Sequence, residues 1–152
     1  MKLFIKQRAF SWFDNYKIFD EDGNPMYSIR GELSWGHCLR MYDNDEKEVC
    51  MVRENGDSLL PKFEMYVGGT YIGSINKESD ITKHAYNIDF NGWRIEGDLM
   101  ENDYQIFNGN GYQIASMTKY VLNQADTYRI KITSQQDELY VLMLMVAIDA
   151  EK

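Results

Sequence analysis

The chain is poor in the residues that staple small proteins or carry much of the common site chemistry. It has two cysteines, two histidines and two prolines in 152 residues. Two cysteines are too few for the disulfide framework of a small secreted domain, so a reducing compartment is expected. No uninterrupted apolar run approaches the ~20 residues needed to span a membrane. The longest, Leu139 to Ile148, has ten. The opening segment, Met1 to Arg8, meets charge almost at once and does not read as a signal peptide. Excess positive charge is also missing. The chain carries 16 Lys and Arg against 24 Asp and Glu, a net charge of −8. That balance argues against general binding to nucleic acid or to anionic membrane, since both need a cationic surface. The expectation is a single cytoplasmic domain over residues 1–152, without a transmembrane segment.

Hydrophobic residues make up 44% of the chain and aromatics 14%, so a packed core is affordable and disorder is excluded. Short β-branched and aromatic runs recur about every ten residues, separated by Gly, Asn and Asp, which is the pattern of an all-β barrel or sandwich. Tyr16–Phe19 and Met26–Ile29 flank the turn Asp20-Glu21-Asp22-Gly23-Asn24. Leu33, Trp35, His37, Leu39 and Met41 share one parity and predict one long half-buried strand. Further runs begin at Val49, Phe63, Tyr71, Tyr86, Trp93, Tyr104, Tyr112 and Tyr128. Asn91-Gly92 is the strongest hairpin signal, because both residues accept the positive φ of a type I′ turn.

The C-terminal segment differs. Ser134-Gln135-Gln136-Asp137 resembles a capping box, and the apolar run that follows is rich in Leu, Met and Ala. A helix from about Gln135 to Ala150 is predicted. It is apolar on every side, so it must be covered on every side. Its aliphatic side chains are worth roughly 12–24 kcal/mol gross when buried. A barrel of about 12 strands has a lumen wider than its own side chains fill, since ~8 strands is the self-filling size. A helix threaded through a closed antiparallel barrel satisfies both needs.

Motifs for chemistry are scarce. There is no G-x-S-x-G, no P-loop and no Rossmann glycine pattern, and Gly109 and Gly111 belong to turn chemistry. His37, Cys38, Cys50 and His84 lack metal-ligand spacing, and His37 and Cys38 are strand neighbours facing opposite ways. Neither Asp20–Asn24 nor Asp43–Glu46 fits a calcium loop, and both read as hairpin turns. Glu96 and Asp98 share a strand face but have the look of solubilising residues. Trp12 and Trp35 are expected in barrel packing or at its rim. No cofactor and no catalytic residue is predicted, and the expectation is a non-enzymatic binding or scaffold domain. The one candidate contact for an anionic ligand is Lys2, Lys6 and Arg8, which share strand parity, with Lys83, Lys119, Arg129 and Lys131 as possible neighbours. The same residues also read as a solvated strand face or a lysine-guarded edge.

The order of several segments resembles the LURP-one-related family, in particular its bacterial YxjI-like members. They are Phe4-Ile5-Lys6-Gln7, Phe10-Ser11-Trp12, Ile18 to Asn24, Gly31 to Gly36, Lys62 to Tyr66, Ile95 to Asp98 and the closing Val146-Ala147-Ile148-Asp149. The resemblance implies the Tubby C-terminal-like fold shared with phospholipid scramblases, a 12-stranded barrel around a central hydrophobic helix. It also implies an alternative role, as a peripheral membrane module that binds phosphoinositide or other anionic lipid headgroups. The partner is otherwise an unidentified protein or small ligand, and fold alone does not carry function across.

Overall fold

The structure is a computed structural model that describes residues 1–6, 15–33, 37–55, 62–77, 86–99, 101–122 and 125–151. Twelve antiparallel strands form one sheet: β1 (Lys2–Lys6), β2 (Asn15–Phe19), β3 (Pro25–Leu33), β4 (His37–Tyr42), β5 (Glu48–Glu54), β6 (Lys62–Val67), β7 (Thr70–Lys77), β8 (Tyr86–Asp89), β9 (Arg94–Asp98), β10 (Asp103–Phe107), β11 (Gln113–Leu122) and β12 (Ala125–Ile132). The hydrogen-bonded order runs from β8 down to β1, then through β12 to β9. The first and last strands therefore pair, with Leu3 opposite Ile130 and Ile5 opposite Tyr128. A single 3₁₀ turn (Gln135–Asp137) leads into the helix α1 (Glu138–Glu151).

Period-2 alternation directs one row of side chains inward. Leu3, Ile5, Ile18, Ile29, Leu39, Val52, Met65, Ile106, Met117 and Ile130 are all buried and surround the helix. Within α1, the eight consecutive residues Val141–Ile148 are each at most 4% exposed. Successive residues turn by about 100°, so eight of them sample every direction around the axis. The helix is thus enclosed by the sheet, as its uniformly apolar sequence requires.

Three of the hairpin turns share one construction. Asp20, Asp43 and Asn108 each accept two backbone N–H bonds on Oδ1, from the residues two and four positions ahead, at 2.8–3.0 Å. The residue three ahead adopts positive φ: Gly23 at 82°, Glu46 at 60° and Gly111 at 85°. Each turn adjoins a register shift in its ladder, at Ile18/Phe19, Met41/Tyr42 and Ile106/Phe107. The acidic segments at 20–24 and 43–47 are therefore turns closed by their own backbone amides.

Three expectations change. The long strand over Leu33–Met41 is two strands, because Leu33 and His37 face each other across the β3–β4 ladder. Directly opposed residues point to the same face, so parity survives the reversal and imitates a continuous strand. The Asn91-Gly92 turn forms with φ of 55° and 67°, but β8 and β9 stand at the two ends of the ladder order instead of pairing. The barrel is therefore nearly closed. Phe90 and Trp93, 5.2 Å apart, pack with Tyr140 of the helix beside this seam. Finally, Ser134 makes no side-chain capping bond, and only its carbonyl engages the Asp137 N–H, at 3.1 Å.

Candidate functional site

Register assembles the basic residues on the outer surface. Lys2 lies opposite Lys131, Phe4 opposite Arg129, and the backbone of Lys6 opposite Thr127. On the neighbouring strand β2, Lys17 is exposed between buried Tyr16 and Ile18. Lys2, Lys17 and Lys131 are exposed and Arg129 is half-buried. Lys2 makes one loose ion pair, with Glu21 at 3.7 Å. Among the described residues no carboxylate pairs with Lys17 or Lys131. Lys119 takes the opposite parity, facing Tyr128 across β11 and β12, and so lies off this face. Arg8 and Lys83 fall outside the described residues, as do Trp12, Trp35 and His84. Sequence parity did not point to Lys17, which only the pairing of β1 with β2 brings alongside.

The outer face of β3–β6 is built differently. Arg40 bonds Glu32, at 2.7 Å, and Glu48. Arg30 pairs with Glu46 and lies over the Tyr42 ring. Arg53 meets Glu64 at 3.0 Å, and Glu64 also accepts the Tyr66 hydroxyl at 2.8 Å and the Asn55 amide at 3.0 Å. These donors hold the Glu64 carboxyl below its usual range, the Tyr66 hydroxyl most of all.

The other sequence candidates do not converge. His37 Nδ1 meets Glu54 at 2.8 Å. Cys38 and Cys50 are both buried free thiols. Burial pushes the Cys50 thiol up to about 12 and raises that of Cys38, so neither presents a thiolate at neutral pH. Among the described residues, no three His, Cys, Asp or Glu side chains are grouped to hold a metal. Glu96 pairs with Arg94 at 3.0 Å, while Asp98 accepts the Glu101 N–H at 3.1 Å. Each carboxylate has a local structural partner.

Cavities divide by location. Between α1 and strands β4 and β5, the apolar gap bounded by Met41, Cys50, Met143 and Val146 is only about 10 Å³. At the end of the barrel where the helix begins, a cleft of about 250 Å³ is lined by Lys2, Asp20, Glu21, Asp22, Gln135 and Glu138, among others. Glu138 is its buried carboxylate, at 7% exposed. Desolvation raises its carboxyl above the ordinary value, offset in part by the nearby Tyr27 hydroxyl. Nothing in the sequence singled out this residue, because its burial is made by segments distant along the chain.

Among the described residues, no helix is long and apolar enough to cross a membrane. The model of the LURP-one-related family matches residues 1–149. The uncharacterized protein YxjI of Bacillus subtilis (strain 168) is 29% identical over 150 residues, covering 98% of this chain and 92% of that protein. In fold, the chain is similar to the X-ray structure of a protein from Arabidopsis thaliana, with a TM-score of 0.68 at 16% identity, covering 97% of this chain and 90% of that one. The match of the family model over residues 1–149 identifies this chain as a member of the LURP-one-related family.

Proposed function

We propose that the chain acts as one non-enzymatic binding or scaffold domain, engaging its partner from outside the barrel. The observation that carries this reading is the occupied interior. The helix fills the lumen, and the gap beside it is about the size of one water molecule. A ligand of ordinary size needs hundreds of cubic ångströms. Membership of the family and likeness to YxjI are consistent with such a role.

The basic face of β1, β2 and β12 favours a second, sharper reading, that the partner surface is anionic. Unpaired lysines on a chain of net charge −8 leave a local field opposite in sign to that of the whole molecule. Anionic lipid headgroups have the matching chemistry, at about 1 kcal/mol per lysine brought near the surface. The test is co-sedimentation of the full chain with vesicles of phosphatidylcholine alone, with phosphatidylserine, or with phosphatidylinositol bisphosphate, at low and at physiological salt. Binding that needs the anionic lipid and weakens with salt supports the lipid reading. No binding at low salt removes it and leaves the general role to be tested by native mass spectrometry of the purified protein for a retained ligand.

A further inference from the structure

The chain holds four Asn-Gly pairs, at 55–56, 91–92, 108–109 and 110–111. Asparagine is chemically labile, most of all before glycine, whose nitrogen attacks the side-chain amide unhindered by a Cβ. The fold treats these pairs differently. Gly56 lies outside the described residues. Asn108 is held by its turn, where its Oδ1 accepts the N–H groups of Asn110 and Tyr112, each at 3.0 Å. Swinging that amide onto the Gly109 nitrogen breaks both bonds. At the next pair the attacking nitrogen itself is engaged, since Gly111 N donates to the Asn108 carbonyl at 3.0 Å.

Asn91 stands apart. Among the described residues neither its side chain nor the Gly92 N–H makes a hydrogen bond, and the turn is closed by Trp93 N on the Phe90 carbonyl at 3.3 Å. Both residues are exposed. The turn at 108–112 joins two paired strands, β10 and β11, whereas β8 and β9 do not pair and no ladder braces the arms of this one. Both reacting groups are therefore uncommitted and in water.

We propose that Asn91 is a site of spontaneous modification by water, the point at which the barrel seam ages. Gly92 N loses its proton to water and bonds to Asn91 Cγ, while the Cγ–Nδ2 bond breaks and ammonia leaves. Water then opens the cyclic imide at either carbonyl, leaving aspartate or isoaspartate at position 91. The first product keeps the turn and adds a negative charge. The second also routes the backbone through an extra methylene. A Cβ on Gly92 would already stand 3.7 Å from the Gly109 Cα, so the two turns abut. The longer turn must push that neighbour aside or draw Phe90 and Trp93 away from Tyr140, the contacts that seat the seam on the helix.

The experiment incubates the folded full chain in mildly alkaline buffer at physiological temperature, beside a sample unfolded in urea. Both are followed by peptide mass spectrometry with fragmentation to assign each site. In the folded chain Asn91 is expected to convert about tenfold faster than Asn108 or Asn110, where hydrogen bonds must first be given up. In urea the three rates are expected to fall within about twofold, because those bonds are gone. Asn91→Gln, which closes its ring more slowly, is expected to remove the new acidic species seen on anion exchange. The isoaspartate form isolated there is expected to melt about 2–4 °C below the parent. Equal rates at the three sites in the folded chain, conversion of Asn91 in urea alone, or an isoaspartate form that melts with the parent overturns the proposal.

Discussion

Two outer faces of one barrel handle charge in contrary ways. Across β3–β6 every described arginine has a carboxylate: Arg30 with Glu46, Arg40 with Glu32 and Glu48, Arg53 with Glu64. Across β1, β2 and β12 the lysines stand beside one another instead, with Lys2 facing Lys131 and, among the described residues, only Glu21 paired with one of them. The first face spends its charge internally, as cross-strand pairs that each contribute a few tenths of a kcal/mol to the sheet. The second pays a small like-charge cost and keeps its field for the solvent or for a partner. Ion pairing on a sheet therefore separates structural charge from available charge.

The largest expected effect is on binding. Converting Lys2, Lys17 and Lys131 together to Gln should weaken association with anionic vesicles about 100-fold, taking ~1 kcal/mol per lysine. The matching triple change of Arg30, Arg40 and Arg53 should leave it within about twofold, because those charges are already neutralised by neighbours. If the arginine variant loses binding equally, the contrast between faces has no functional content.

Stability should show the reverse order. Arg40→Ala removes one guanidinium from two carboxylates and its stem from the sheet surface. A loss of about 1 kcal/mol is expected, read as a fall in Tm of ~2–4 °C for a chain of this size. Unchanged melting would make the paired face as dispensable as the lysine face.

Acid sharpens the distinction. Glu64 has a folded pKa below its unfolded value, so its contribution is present above the unfolded value and is lost as pH falls through the folded one. Melting curves from pH 6 down to pH 2 should therefore lose part of their slope in Glu64→Gln. Variants of Lys17 and Lys131, which pair with no carboxylate among the described residues, should follow the parent curve throughout. The smallest effect belongs to Lys131→Ala, with a change in stability within about 0.5 kcal/mol either way, as for an exposed unpaired side chain.

Much of the architecture was legible along the chain. Tyr16 and Ile18 alternate with Lys17 because a strand shows one face to the core and one to water, and that period appears in any short window. The Asp20 and Asn108 turns were readable because a short polar side chain followed by glycine satisfies the backbone locally. The apolar run over Leu139–Ile148 announced a helix enclosed on all sides, and Val141–Ile148 are indeed buried. The merged strand over Leu33–Met41 had the same origin as these successes. Parity is local, and a reversal that sets Leu33 opposite His37 leaves it intact.

The candidate sites were less legible, because each is made by segments distant in sequence. Lys2 and Lys6 could be paired by parity, but their alignment with Lys131 and Lys17 depends on β1 lying between β12 and β2. Glu138 looked like an ordinary helix-start carboxylate until Tyr27 and the β2–β3 turn closed around it. By itself the sequence determined the strand period, the turn chemistry, the enclosed helix and the net charge, since each arises from residues within a few positions of one another. Only the tertiary structure decided which cations lack partners, where the barrel stops short of closing and which carboxylate is buried. Those outcomes depend on register between strands and on desolvation by neighbours far along the chain, and no local pattern encodes either.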